Sequence, residues 1–120
     1  MADTTVSLRW TGAGLRFEGG SGAGPVVSID SEGTAGTRPT ELLLLGLGGC
    51  MGVDIVDILG KMRVPLEALE VRLEGDRAAE PSRRFLRLRL VCDVWGVPEA
   101  DEAKLQRAVA LSQEKYCSVL

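Results

Sequence analysis

The sequence predicts an α+β fold built, in order, from short antiparallel strands, a long buried central helix, a β-hairpin and a second long helix. Three observations carry this expectation. Up to residue 30, apolar and polar side chains alternate in short runs broken by glycine. Residues 42–53 are then almost wholly apolar and do not alternate. Over 69–74 and 86–94 alternation returns, and helical periodicity follows to the end of the chain. With 120 residues the chain is near the commonest domain size, and a single domain over 1–120 is expected.

Val6, Leu8 and Trp10 alternate with Thr5, Ser7 and Arg9, which predicts a strand over 5–10. Gly12, Ala13 and Gly14 are turn residues, and Leu15, Arg16 and Phe17 begin a second strand, so the two make a hairpin. A glycine-rich loop over 19–24 leads to a third strand over 25–30. Residues 31–37 are again Gly, Ser and Thr rich, and are either a plain connector or a mobile lid.

A helix is predicted over 39–62. Pro39 suits the first helical position, Glu41 puts an acid where the helix dipole favours it, and Pro65 bars continuation. It is apolar nearly all round until Asp54 and Asp57, so burial on most sides is expected. Gly46, Gly48, Gly49 and Gly52 lie inside it. Each costs about 1 kcal/mol relative to Ala in a helix interior. The compensation expected is close approach of a second helix beside Cys50.

Leu69, Val71 and Leu73 alternate with charged residues, as do Leu86, Leu88, Leu90, Cys92 and Val94 with mostly polar ones. That predicts an antiparallel pair wet on one face, with its turn over 75–83. The last helix starts at Glu99, with acids in its first turn and Lys115 late. Leu105, Val109, Ser112 and Tyr116 form its inner stripe, with Cys117 beside it.

The net charge of −3 argues against nucleic acid or an anionic membrane surface as partner. The apolar run 42–53 is shorter than the roughly 18 residues a membrane helix needs, so a buried helix is the better reading. Three cysteines, an odd number, and no signal-peptide pattern suit the reducing cytoplasm. The chain has no histidine, which removes Ser-His, Cys-His and most zinc chemistry. No Cys-x-x-Cys occurs either.

The thiols are therefore the first candidates for chemistry. A cysteine in an apolar helix is often only a small hydrophobe, and Cys92, on the apolar face of a strand, reads that way. Cys50 differs because of its glycine cluster and because Cys117 lies on the other long helix. Its position is electrostatically poor: three turns into the helix, beyond the reach of the N-terminal dipole, among leucines that would raise its pKa, and one turn before Asp54. A reactive thiolate there needs a cation. Arg16, just past the hairpin turn, and Arg38, just before the helix, are the candidates, each also readable as a solvated surface charge. Glu41 either only stabilises the helix start or holds that arginine.

The stretch Pro39-Thr-Glu-Leu-Leu-Leu-Leu-Gly-Leu-Gly-Gly-Cys50-Met-Gly-Val-Asp-Ile-Val-Asp-Ile-Leu59, read with Glu114-Lys-Tyr-Cys117-Ser-Val, resembles the OsmC/Ohr family of osmotically inducible and organic hydroperoxide resistance proteins, and most of all its YhfA-like branch. The resemblance covers essentially the whole chain. It implies an intertwined homodimer with two central helices flanked by sheets and with sites at the subunit interface. It implies a peroxidase cycle in which Cys50 attacks an organic hydroperoxide, Cys117 resolves the sulfenic acid, and an external dithiol of lipoyl type, rather than a bound cofactor, restores the thiols. An arginine and a glutamate would support the thiolate.

Arg16 is the first choice for that arginine, because it follows the hairpin turn, and Arg38 the second. Hydroperoxide-resistance members carry the glutamate where this chain has Thr40. Glu41 comes one residue later, about 100° round the helix. The family's final strand would lie beyond Leu120, so the domain is expected to lack it. The rival expectation is a non-catalytic dimer that binds a small apolar ligand or senses redox state. The plainest one is a structural domain with inert thiols.

Overall fold

The computed structural model describes residues 4–81 and 85–117, with side chains as far as Glu114. The chain divides between Leu43 and Leu44 into two compact units.

The N-terminal unit is a three-stranded antiparallel sheet of β1 (Ser7–Trp10), β2 (Arg16–Gly20) and β3 (Val27–Asp30), in that order across the sheet. The predicted hairpin pairs Trp10 with Phe17 and Ser7 with Gly20. Its turn is closed by Trp10, whose indole N–H donates to the Gly14 carbonyl at 3.0 Å. β3 adds to the other edge of β2, setting Arg16 opposite Asp30. Val6, Leu8 and Trp10 remain exposed.

The second unit holds most of α1 (Pro39–Lys61), the hairpin of β4 (Ala68–Arg77) and β5 (Phe85–Trp95), a 3-10 turn over Glu99–Asp101, and α2 (Glu102–Cys117). β4 and β5 pair antiparallel, with Val71 opposite Cys92 and Leu73 opposite Leu90. The core is Ile55 and Leu59 of α1, Val64 just beyond it, and Ala108 of α2, with Leu69, Cys92, Leu105 and Val109 packed around them. The mixed α+β class and the order of elements are as the sequence predicts.

α1 ends by a specific device. Val64 donates its backbone N–H to the Leu59 carbonyl at 2.9 Å, and Arg63 donates to Gly60 at 3.1 Å. Arg63 has φ +59°, left-handed, at the position where helices usually place glycine. The hydrophobic contact that accompanies this motif is made by Val64 and Leu59 in the core.

Three expectations change. Only one face of α1 is buried, the face of Gly48, Met51, Ile55 and Leu59, while Leu45, Val53 and Val56 are exposed. One hairpin and one helix can cover only part of an apolar cylinder. Within this chain the glycines do not admit α2. A Cβ on Gly48 would collide with the Leu73 side chain, Gly52 faces Val71, and Gly46 and Gly49 have no neighbouring atom within 4 Å. The close approach is therefore to β4. Small residues do occur where the helices meet, but on α2, as Ala108 and Ser112, both fully buried.

The third change is at Gly75, which lies inside β4 rather than in a turn. The Phe85 ring fills the space beside it, 2.6 Å from where a Cβ would stand, and the Arg77 guanidinium sits over that ring at 5.7 Å. Part of the predicted turn, residues 82–83, and Tyr116 of the predicted stripe fall outside the described backbone or side chains. The 23 residues of α1 are also long and apolar enough to cross a membrane by length and composition, which the shorter run 42–53 had suggested they were not. One face of it packs in the core, and the Asp57–Lys61 ion pair at 3.0 Å lies on its exposed side.

Candidate functional site

Cys50 sits on α1 between Gly49 and the buried Met51, and it is exposed. The burial among leucines that the sequence suggests is not found, because Cys50 lies off the face that packs. Cys117 occupies the last turn of α2. Its thiol lies outside the described side chains.

The two helices meet beside Cys50. Ser112 of α2, fully buried, donates its hydroxyl to the Met51 carbonyl at 3.2 Å. Ala108, one turn earlier on α2, packs with Ile55 and Leu59, further along α1. Residue order thus runs oppositely in the two helices where they cross.

Cys92 projects from β5 into a groove of about 410 Å³ lined by Leu90, Val94, Leu105, Val109 and Gln113. It is half-buried, and that burial, helped by the neighbouring Asp93 carboxylate, pushes its thiol pKa up. A core role suits it, as the sequence suggests. On the same face of the hairpin, along β4 rather than β5, an open apolar trough of about 890 Å³ follows α1, lined among others by Leu45, Gly48, Gly52, Val53 and Val71. Among the described residues no group of three or more His, Cys, Asp or Glu could hold a metal ion.

The charged candidates of the N-terminal unit form two separate pairs. Arg16 Nε lies 3.6 Å from Asp30, whose carboxylate is almost fully buried. That carboxylate also accepts the backbone N–H groups of Glu32, Thr34 and Ala35 and the Thr34 hydroxyl, so it organises the whole 31–37 loop. The loop closes at its far end where Asp30 donates its backbone N–H to Thr37. Arg38 pairs with Glu41 at 3.9 Å and donates to the Glu32 carbonyl at 3.1 Å. Glu41 in turn accepts the Arg38 backbone N–H at 3.3 Å, reaching back over the helix start as a capping glutamate does. The arginine that Glu41 holds is therefore Arg38, and the one held by Asp30 is Arg16.

Sequence reasoning missed Asp30 and the bond made by Ser112. An aspartate ending a strand ahead of Ser, Glu, Gly and Thr is a signal for side-chain-to-backbone turn bonding. A serine in an apolar helix stripe signals a buried partner.

Residues 31–120, three-quarters of the chain and both cysteine helices, match the model of the family described as OsmC-like protein. The chain belongs to the OsmC-like family. Among its OsmC-like relatives is Protein YhfA of Escherichia coli strain K12, 38% identical over 113 residues, which span 93% of this chain and 83% of that protein. A solved hypothetical protein from Aquifex aeolicus VF5 is 31% identical, covers 100% of this chain and 86% of its own, and superposes with a TM-score of 0.83. An OsmC like protein from Mycoplasma pneumoniae has the same fold, with a TM-score of 0.77 at 14% identity, covering 94% of this chain and 82% of its own.

Proposed function

We propose that this OsmC-like protein is a thiol peroxidase acting on organic hydroperoxides as a cytoplasmic homodimer. The observation that carries the reading is that Cys50 is exposed on α1 one residue from the bond that joins α1 to the helix bearing Cys117. The Cys50 thiolate attacks the outer peroxide oxygen, the O–O bond breaks, and the alcohol leaves after taking a proton. Cys50 becomes a sulfenic acid. The Cys117 thiol then displaces hydroxide, which leaves as water, and a disulfide forms. An external dithiol, of lipoyl type in the family, reduces that disulfide and is itself oxidised.

Arg16 is assigned to the thiolate. Its ion pair with Asp30 uses Nε and fixes the side chain from a buried anchor, while a guanidinium has further N–H donors to offer. Glu41 acts on the site through Arg38 and the helix start. The exposed apolar residues of α1, Leu45, Val53 and Val56, are the surface assigned to the second copy. Consumption of cumene hydroperoxide with a dithiol reductant tests the reading. The wild type should turn over, and Cys50→Ser should not. Equal rates would sink it.

One observation favours a second reading, a non-catalytic dimer that binds a small apolar ligand or senses redox state. Glu41 is already engaged by a backbone N–H and by Arg38, which is a structural task. Saturable binding of a fatty acyl probe without any peroxide turnover would select this reading.

A further inference from the structure

We infer that Ser112 is a positioning residue whose hydrogen bond to the Met51 carbonyl fixes the register of α2 against α1, and so decides whether Cys117 can close a disulfide onto Cys50. The inference deepens the peroxidase reading but is tested apart from it.

The apolar contacts between the helices, Ala108 with Ile55 and Leu59, are non-directional and tolerate sliding. A hydrogen bond does not, because its strength falls steeply with distance and angle. The Ser112 bond, at 3.2 Å and fully buried, is a directional contact between α1 and α2. Losing it would leave a hydroxyl or a carbonyl lone pair sealed from water.

Its place matters as much as its strength. Met51 follows Cys50 directly and stands among Gly46, Gly48, Gly49 and Gly52, the stretch of α1 with the weakest helix propensity. Ser112 lies five residues before Cys117 in one continuous helix, so the bond ties both cysteines to a common reference. A disulfide accepts Cα separations only between about 4.4 and 6.8 Å. Helix shifts of about 1–2 Å are among the common rearrangements of packed helices. A slip of that size consumes most of the tolerance.

The test equilibrates the full chain with a glutathione redox buffer and measures the Cys50–Cys117 disulfide by peptide mapping. Ser112→Ala and Ser112→Val should lower the equilibrium constant for that bridge at least tenfold. Ser112→Thr, which keeps a hydroxyl and has the shape of valine, should restore it to within about threefold of wild type. Circular dichroism identifies folded variants; if valine does not fold, the alanine variant, which only deletes the oxygen, decides. Equal bridging in wild type and Ser112→Ala, or no bridge in wild type, overturns the inference. Normal bridging without peroxide turnover overturns the peroxidase reading and leaves Ser112 in its role.

Discussion

Asp30 accepts the backbone N–H of Ala35 at 2.9 Å, the strongest of several bonds that hold its carboxylate ionised. With the N–H of Glu32 and the groups of Thr34 adding to it, and burial opposing, its pKa falls from 3.8 to about 2. A carboxylate depressed on folding stabilises above its unfolded pKa and loses that contribution as pH falls through the folded one. The N-terminal unit should therefore keep this stability above pH 3.8 and lose it progressively towards pH 2. Urea midpoints followed by Trp10 fluorescence in a Trp95→Phe background check this. Asp30→Asn should lower the midpoint at pH 7 and flatten its acid dependence; an unchanged acid slope would contradict the assignment.

Arg63 invites a stabilising change. A non-glycine residue at φ +59° pays a steric cost that glycine avoids. Arg63→Gly should raise the stability of the second unit by about 0.5–1 kcal/mol, after allowing for the looser unfolded chain. Denaturant unfolding reads this directly, and a loss of stability would mean that the Arg63 side chain makes a contact worth more than the strain.

Adjacent glycines of α1 should respond in opposite directions. Gly48→Val forces branched methyl groups against Leu73 and should cost about 1–3 kcal/mol. Gly49→Ala enters open space and should stabilise the helix by up to about 1 kcal/mol. If Gly49→Ala destabilises instead, a second copy of the chain covers that face.

The two arginine pairs separate by mutation. Arg16→Gln should slow peroxide consumption about tenfold, the effect of one lost charge-assisted interaction in the transition state. Arg38→Gln should change it less than about threefold. Glu41→Gln should leave the melting temperature nearly unchanged, since glutamine can still accept the Arg38 backbone N–H. A tenfold rate loss in Glu41→Gln at constant melting temperature would move Glu41 into the chemistry.

Iodoacetamide should distinguish the thiols. Cys50 is exposed, whereas Cys92 is half-buried with a raised pKa, so at pH 8 Cys50 should be alkylated at least about tenfold faster. Timed quenching and mass spectrometry supply the rates, and comparable rates would show that the groove around Cys92 opens readily.

Alternation and turn residues made the N-terminal hairpin, both long strands and both helices readable, because these depend on side-chain period and local backbone chemistry. Gly75 misled because glycine signals a turn locally, while its place in β4 depends on Phe85 from the opposite strand. The glycines of α1 correctly announced a close approach but not its partner, since nothing in a helix period distinguishes a strand from a second helix as neighbour. The burial expected for Cys50 failed for a related reason: apolar composition says what a helix would cover, not what one copy of the chain can supply. The tie from Ser112 to Met51 spans 61 residues of sequence and leaves no local pattern beyond a polar residue in an apolar stripe.

The exposed side chains of Leu45, Val53 and Val56 set a condition on every stability measurement. If a second copy covers them, folding and association are one equilibrium, and mass action makes the melting temperature climb with protein concentration. Substitutions at Leu45, Val53 or Val56 and those at Leu59 or Ala108 would then all lower a melting temperature that dilution lowers as well, so variants compare only at one protein concentration.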